Sequence, residues 1–249
     1  MLGLKFAVDR AMMNGFDYSI LSFLNRFVGQ HPWFDNALVY LSNEVFLTVS
    51  PVVALCWWAW FKHGQDTDDR NVETRQSIVS TLLVCFASIL LARFIVVSFH
   101  FRLRPLCDPT NGLHFPPGTT DWQNWSSFPS DHAIMFFTLT TGFFSVSRML
   151  GWIALIDTVV LVCLPRIYLG IHYPTDIIAG AVIGVALGLA ANNKAVKFSL
   201  AKWPLQWLRQ YPGPFYAGFF LLMYQMTVMF GDVRYVGIGL IKAFAKTLR

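Results

Sequence analysis

Apolar residues dominate six stretches of the chain, 37–61, 76–101, 133–149, 150–168, 176–193 and 213–230. Each is of the order of the roughly 20 helical residues that cross a bilayer, and polar segments separate them. The pattern predicts an all-α fold, a polytopic membrane bundle of about six transmembrane helices. Ahead of it, residues 4–28 mix apolar and charged positions at helical spacing, which predicts an amphipathic helix on the membrane surface. Lys5, Asp9, Arg10, Asp17 and Arg26 interrupt any apolar core of a cleavable signal peptide.

Composition agrees with the pattern. The 249 residues are 55% hydrophobic and 13% charged, against about a quarter charged in soluble domains. One integral membrane domain over 1–249 is the economical division, with an interfacial helix at 1–30 and a tail at 231–249. The net charge of +5 is spread over residues that flank the spans, which argues against a nucleic-acid partner. Cys56, Cys85 and Cys163 fall inside predicted spans and Cys107 sits alone in a loop, so neither a disulfide framework nor a metal site is implied.

Cytoplasmic loops collect Lys and Arg. The connection 62–75 holds Lys62, Arg70 and Arg75, the next on that side holds Arg148, and 194–212 holds Lys194, Lys197, Lys202 and Arg209. The opposite loops, 102–132 and 165–175, hold Arg102, Arg104 and Arg166. The second set therefore faces the periplasm or cell exterior of a multi-pass membrane protein. Arg234, Lys242, Lys246 and Arg249 fit this less well, and the side of the tail stays open.

Three segments bring chemistry to that outer face. Arg104-Pro105 closes the second span, FPSDHA (128–133) opens the third, and PRIYLGIHYPTD (165–176) joins the fourth to the fifth. Alone, each arginine could snorkel to water, and PSDH could be a capped helix start with Ser130 as N-cap. Together they can form one pocket. His172 and Asp176 are four residues apart, and Pro174 suits the first turn of the fifth span. Asp176 can accept a hydrogen bond from the His172 imidazole, fixing its tautomer and leaving the other nitrogen free to attack. Arginine forks match phosphate oxygens, and the helix start at Ser130 supplies backbone N–H groups to an anion.

The order R-P, P-S-x-H, R-x5-H-x3-D resembles the type 2 phosphatidic acid phosphatase superfamily, whose signature is K-x6-R-P, P-S-G-H and S-R-x5-H-x3-D. The resemblance covers roughly 90–190. It implies that His172 is a nucleophile forming a phosphohistidine, that Asp176 orients it, and that His132 protonates the leaving group. It further implies that Arg104, Ser130 and Arg166 bind phosphoryl oxygens, with no metal or other cofactor. Three positions depart from the signature: Val97 replaces the lysine, Asp131 the glycine and Pro165 the serine. Arg102 or His100 is expected to replace the missing cation, ahead of the deeper Arg93. The missing lysine and the P-S-D-H block, with HPWFDNALVYLSNE (31–44), resemble bacterial undecaprenyl pyrophosphate phosphatases. That resemblance implies hydrolysis of a membrane-embedded polyprenyl diphosphate to the monophosphate.

Other readings stay open: a phosphatidic acid or phosphatidylglycerophosphate type of lipid phosphatase, a lipid phosphotransferase on the same fold, or a polyprenyl-lipid carrier. A transporter would need a proton relay. Asp157 is an acid inside the fourth span, expected to pair within the bundle. Trp122 and Trp125 are candidates for a lid or an interfacial aromatic belt.

Overall fold

The computed structural model describes residues 13–62, 69–98, 102–119 and 126–227. Outside them lie His100, Trp122, Trp125, the tail at 231–249 and the first 12 residues, together with the side chain of Val97. All the described elements are helical: α1 (Gly15–Asn25), α2 (Pro32–Asn43), α3 (Val45–Phe61), α4 (Asp69–Ser98), α5 (Asp131–Val146), α6 (Arg148–Ile156), α7 (Leu164–Tyr168), α8 (Pro174–Asn192), α9 (Lys194–Gln210) and α10 (Pro212–Thr227). A π-helical stretch, Asp157–Cys163, joins α6 to α7.

The all-α bundle agrees with the hydrophobic pattern, but the spans divide differently. Three described helical stretches are long and apolar enough to cross a membrane: Asp69–Phe94, Arg148–Tyr168 and Pro174–Asn192. The expected span at 37–61 is instead two helices, α2 and α3, bent by 57° at the break between them, and they make a fourth span if taken together. A continuous apolar run does not report a bend. α5 has 16 residues and the expected span at 213–230 runs past the described residues, so among the described residues three or four spans are counted rather than six. The expected loop at 194–212 is mostly α9, whose Leu205 and Leu208 are buried while Trp203 and Lys202 are exposed.

The packing of α5 against α8 positions the site, and three glycines make it possible. A Cβ on Gly180 would sit 2.8 Å from the Ser130 carbonyl oxygen. On Gly184 it would sit 2.6 Å from that of Ile134, and on Gly188 2.9 Å from that of Thr138. Glycine at every fourth position gives α8 a flat face on which the α5 backbone rests directly, the small-residue mode of packing in membranes. Thr138 Oγ1 adds a bond across this contact to the Gly184 carbonyl, at 3.2 Å.

Two elements differ from their expected settings. α1 does not simply lie on the surface. It packs on α7 and α8, with Asp17 and Leu21 buried and Phe16, Tyr18 and Phe23 exposed. Asp157, expected to pair within the bundle, has both carboxylate oxygens buried without a hydrogen-bond partner among the described residues.

Candidate active site

Local sequence prepares both helix starts at the site. Ser130 is extended (φ −71°, ψ 112°) and its hydroxyl accepts from the Ala133 N–H at 3.4 Å, capping α5. Pro174 begins α8, and the third residue of that helix, Asp176, reaches back to accept from the Tyr173 N–H at 2.8 Å. The Ser130 N–H donates to the Asp176 carbonyl at 3.4 Å, which ties the two helix starts together.

Ser130, Arg166, His172, Asp176 and Arg104 are all buried and converge at this end of the bundle. Arg104 comes from the segment after α4, Ser130 and His132 from the start of α5, Arg166 from α7, and His172 from the turn before α8. Arg104 Nη1 donates to the Ile171 carbonyl at 2.9 Å and lies 3.4 Å from His172 Nε2. Arg166 Nη1 donates to the Val162 carbonyl at 3.0 Å and is near enough to act electrostatically on His132.

The tautomer of His172 follows from its neighbours. Its Nδ1 is 2.8 Å from the backbone carbonyl oxygen of Ser127. A carbonyl can only accept, so Nδ1 carries the proton and Nε2 keeps its lone pair, turned towards Arg104. Asp176 Oδ2 is 3.8 Å from Nδ1, beyond hydrogen-bond range, and accepts from the Ser127 hydroxyl instead. Ser127 thus stands between the histidine and its carboxylate. It was not among the expected site residues. Serine is ordinary in a loop, and no spacing marks this one.

Burial is the main influence on His172, which lies in the turn between two spans. Burial holds its imidazolium pKa below the usual value, the Arg104 guanidinium pushes the same way, and Asp176 opposes both.

Asp131, where the signature has glycine, makes a second histidine–carboxylate pair. Its Oδ1 is 2.8 Å from His132 Nδ1, so His132 holds its Nδ1 proton on a carboxylate, with Nε2 on the other edge of the ring. Arg93 Nη2 approaches Asp131 Oδ2 at 3.8 Å, which brings Arg93 from one side of α4 to the edge of the site.

Arg102, expected at the phosphate, is engaged elsewhere. Its Nη2 donates to Asp17 at 2.6 Å, its Nη1 to Asp176 at 2.9 Å and to the Thr175 hydroxyl at 2.8 Å. Its Cζ stacks 3.6 Å above the Tyr173 ring. With both ends of the fork held by buried carboxylates, Arg102 is a strut behind Asp176.

A buried histidine with a fixed tautomer, two arginines and a second histidine beside a helix start form a site for an anionic electrophile. Residues 77–198 match the family model described as PAP2 superfamily. These residues belong to the PAP2 superfamily. The matched stretch holds all three motif blocks.

YbjG of Escherichia coli (strain K12) is 24% identical over 181 residues, covering 73% of this chain and 83% of its own length. The bacitracin transport permease protein BcrC of Bacillus licheniformis is 27% identical, covering 66% of this chain and 73% of its own length. The undecaprenyl-diphosphatase BcrC of Bacillus subtilis (strain 168) is 20% identical, covering 69% and 80%. Among solved structures, Aquifex aeolicus LpxE matches with a TM-score of 0.49 at 21% identity, covering 73% of this chain and 98% of its own.

Proposed function

We propose that this PAP2-superfamily phosphatase hydrolyses a polyprenyl diphosphate to the monophosphate at the outer face of the membrane, through a phosphohistidine. The observation that carries the reading is the state of His172: Nδ1–H on the Ser127 carbonyl, and the Nε2 lone pair 3.4 Å from a guanidinium that can hold a phosphoryl oxygen. The names of the undecaprenyl-diphosphatase relatives support the choice of lipid. The Lys and Arg residues of α9, at the far end of the bundle from the site, support the outward orientation.

In the first step the His172 Nε2 lone pair forms a bond to the terminal phosphorus. The bond to the bridging oxygen breaks, and its electron pair leaves with the lipid monophosphate, which takes a proton from His132 Nε2. Arg104, Arg166 and the Ser130 hydroxyl balance the charge on the equatorial oxygens, with the dipole of α5 adding to them. In the second step His132 accepts a proton from water as the water oxygen attacks phosphorus, and His172 departs neutral. Asp176 steadies the charge that the His172 ring carries between the steps. The donors to phosphate are arginine and serine side chains, so the chemistry is assigned to the protein alone.

The test is phosphate release by purified protein from lipid monophosphates and polyprenyl diphosphates, with chelator present. Turnover of the diphosphate, and its loss in His172→Ala, are expected. Turnover that disappears with chelator and returns with added divalent metal overturns the mechanism. Preference for phosphatidic acid overturns the substrate.

A further inference from the structure

The helix α1 lies outside the three motif blocks, yet it brings to the site a carboxylate that accepts four hydrogen bonds. Asp17 is fully buried. Its Oδ2 accepts from Arg102 Nη2 at 2.6 Å, from the Thr175 hydroxyl at 2.7 Å and from Asn14 Nδ2 at 2.9 Å. Its Oδ1 accepts from the Thr175 N–H at 2.9 Å. Arg102 carries this to Asp176, and Asp176 carries it through Ser127 to His172.

α1 also has apolar contacts, with Leu21 buried against Ala133, Cys163, Ile167, Tyr173 and Ile177. Burying a charge is costly unless it is paired and hydrogen-bonded, as Asp17 is by Arg102 and Thr175. Here two carboxylates share one guanidinium, so Asp17, Arg102 and Asp176 together carry one net negative charge. That is the charge needed beside His172 when its ring turns cationic on phosphorylation. Without Asp17 the cluster would be neutral, and Arg102 would cancel Asp176.

We propose that Asp17 is a positioning residue for phosphoryl transfer: it draws off part of the Arg102 charge, so that Asp176 keeps its negative field on His172. The inference rests on the phosphohistidine reading above. Arg104, Asp131, Asp176 and the imidazole of His132 act electrostatically on His172, and of these Asp176 is bonded to Arg102. Asp17 therefore reaches the nucleophile through Asp176, which makes the two carboxylates non-additive.

The experiment compares wild type, Asp17→Asn, Asp176→Asn and the double variant in one detergent, with a short-chain polyprenyl diphosphate as probe and His172→Ala as reference. Asp17→Asn is expected to lower kcat about tenfold, with KM within about twofold. The acid limb of its pH profile should move to lower pH, because a weaker negative field binds the His172 proton less well. In the Asp176→Asn background the same substitution should change kcat by less than about twofold. Thr175→Val, which removes the hydroxyl between Arg102 and Asp17, should show the same pattern more weakly, and decides the matter if Asp17→Asn does not fold.

Independent, multiplying losses overturn the proposal. So does a rise in KM at constant kcat, or a fall in thermal midpoint with unchanged kcat and pH profile. Active wild type and inactive His172→Ala leave the phosphohistidine reading standing whatever Asp17→Asn does; active His172→Ala removes that reading itself.

Discussion

Asp131→Asn tests how the second histidine is made into an acid. His132 must hold protons on both ring nitrogens to deliver one to a leaving oxygen. The Asp131 carboxylate, 2.8 Å from Nδ1, stabilises that doubly protonated ring. Asparagine can keep the hydrogen bond through its carbonyl but loses the charge. A hydrogen bond to a charged partner contributes about 1.5–3 kcal/mol and a neutral one about 0.5–1.5 kcal/mol. The difference is about 1–1.5 kcal/mol. The two side chains are 20% and 18% exposed, so solvent screening holds the value to the lower part of that range. The expected loss is therefore about five- to tenfold in kcat.

The loss should also depend on the leaving group. With an alkyl phosphate the departing alkoxide needs the proton, and the full factor should appear. With an aryl phosphate the phenoxide leaves without help, and the variant should stay within about twofold of wild type. Asp131 also sits in the first turn of α5, where a negative charge favours the helix by about 0.3–1 kcal/mol, so a small fall in thermal midpoint should accompany the kinetic change. An equal loss on alkyl and aryl substrates would refute the assignment, since it would place Asp131 in substrate binding rather than in supplying the acid.

Three further outcomes are expected. The acid limb of kcat/KM should lie below the ordinary imidazole value of about 6.5, because burial and Arg104 lower the His172 pKa and the neutral nucleophile persists to lower pH; a limb above 6.5 contradicts that environment. Gly184→Leu should abolish folding or lower the thermal midpoint strongly, since even its Cβ would stand 2.6 Å from the Ile134 carbonyl oxygen and a backbone atom cannot turn aside; near-normal stability would mean the α5–α8 contact is looser than described. Arg93→Ala should raise KM for the diphosphate, because Arg93 reaches the site edge through Asp131, whereas Arg102→Ala should act mainly on kcat through Asp176; the opposite split would return Arg102 to the phosphate.

The sequence by itself determined the helical class, the segments that meet at one end of the bundle, and the two helix starts at Ser130 and Pro174. These are local properties. Apolar runs report burial along a helix, and capping is decided within four residues. It also marked Asp131 as a departure, and the partner of that carboxylate proved to be its immediate neighbour. What only the tertiary structure decided is pairing across distance. Arg102 could have been placed at the phosphate by its position alone; Asp17, 85 residues away, takes one end of its fork. Ser127 displaces Asp176 from direct contact with His172 through a backbone carbonyl, and every residue has one. The 57° bend between α2 and α3 and the π-helical stretch before α7 likewise left no mark in the hydrophobic pattern, which counts apolar positions and does not register how a helix turns. The glycines of α8 were present in the sequence at four-residue spacing, but which helix they admit depends on the packing of α5, and only the tertiary structure shows that packing.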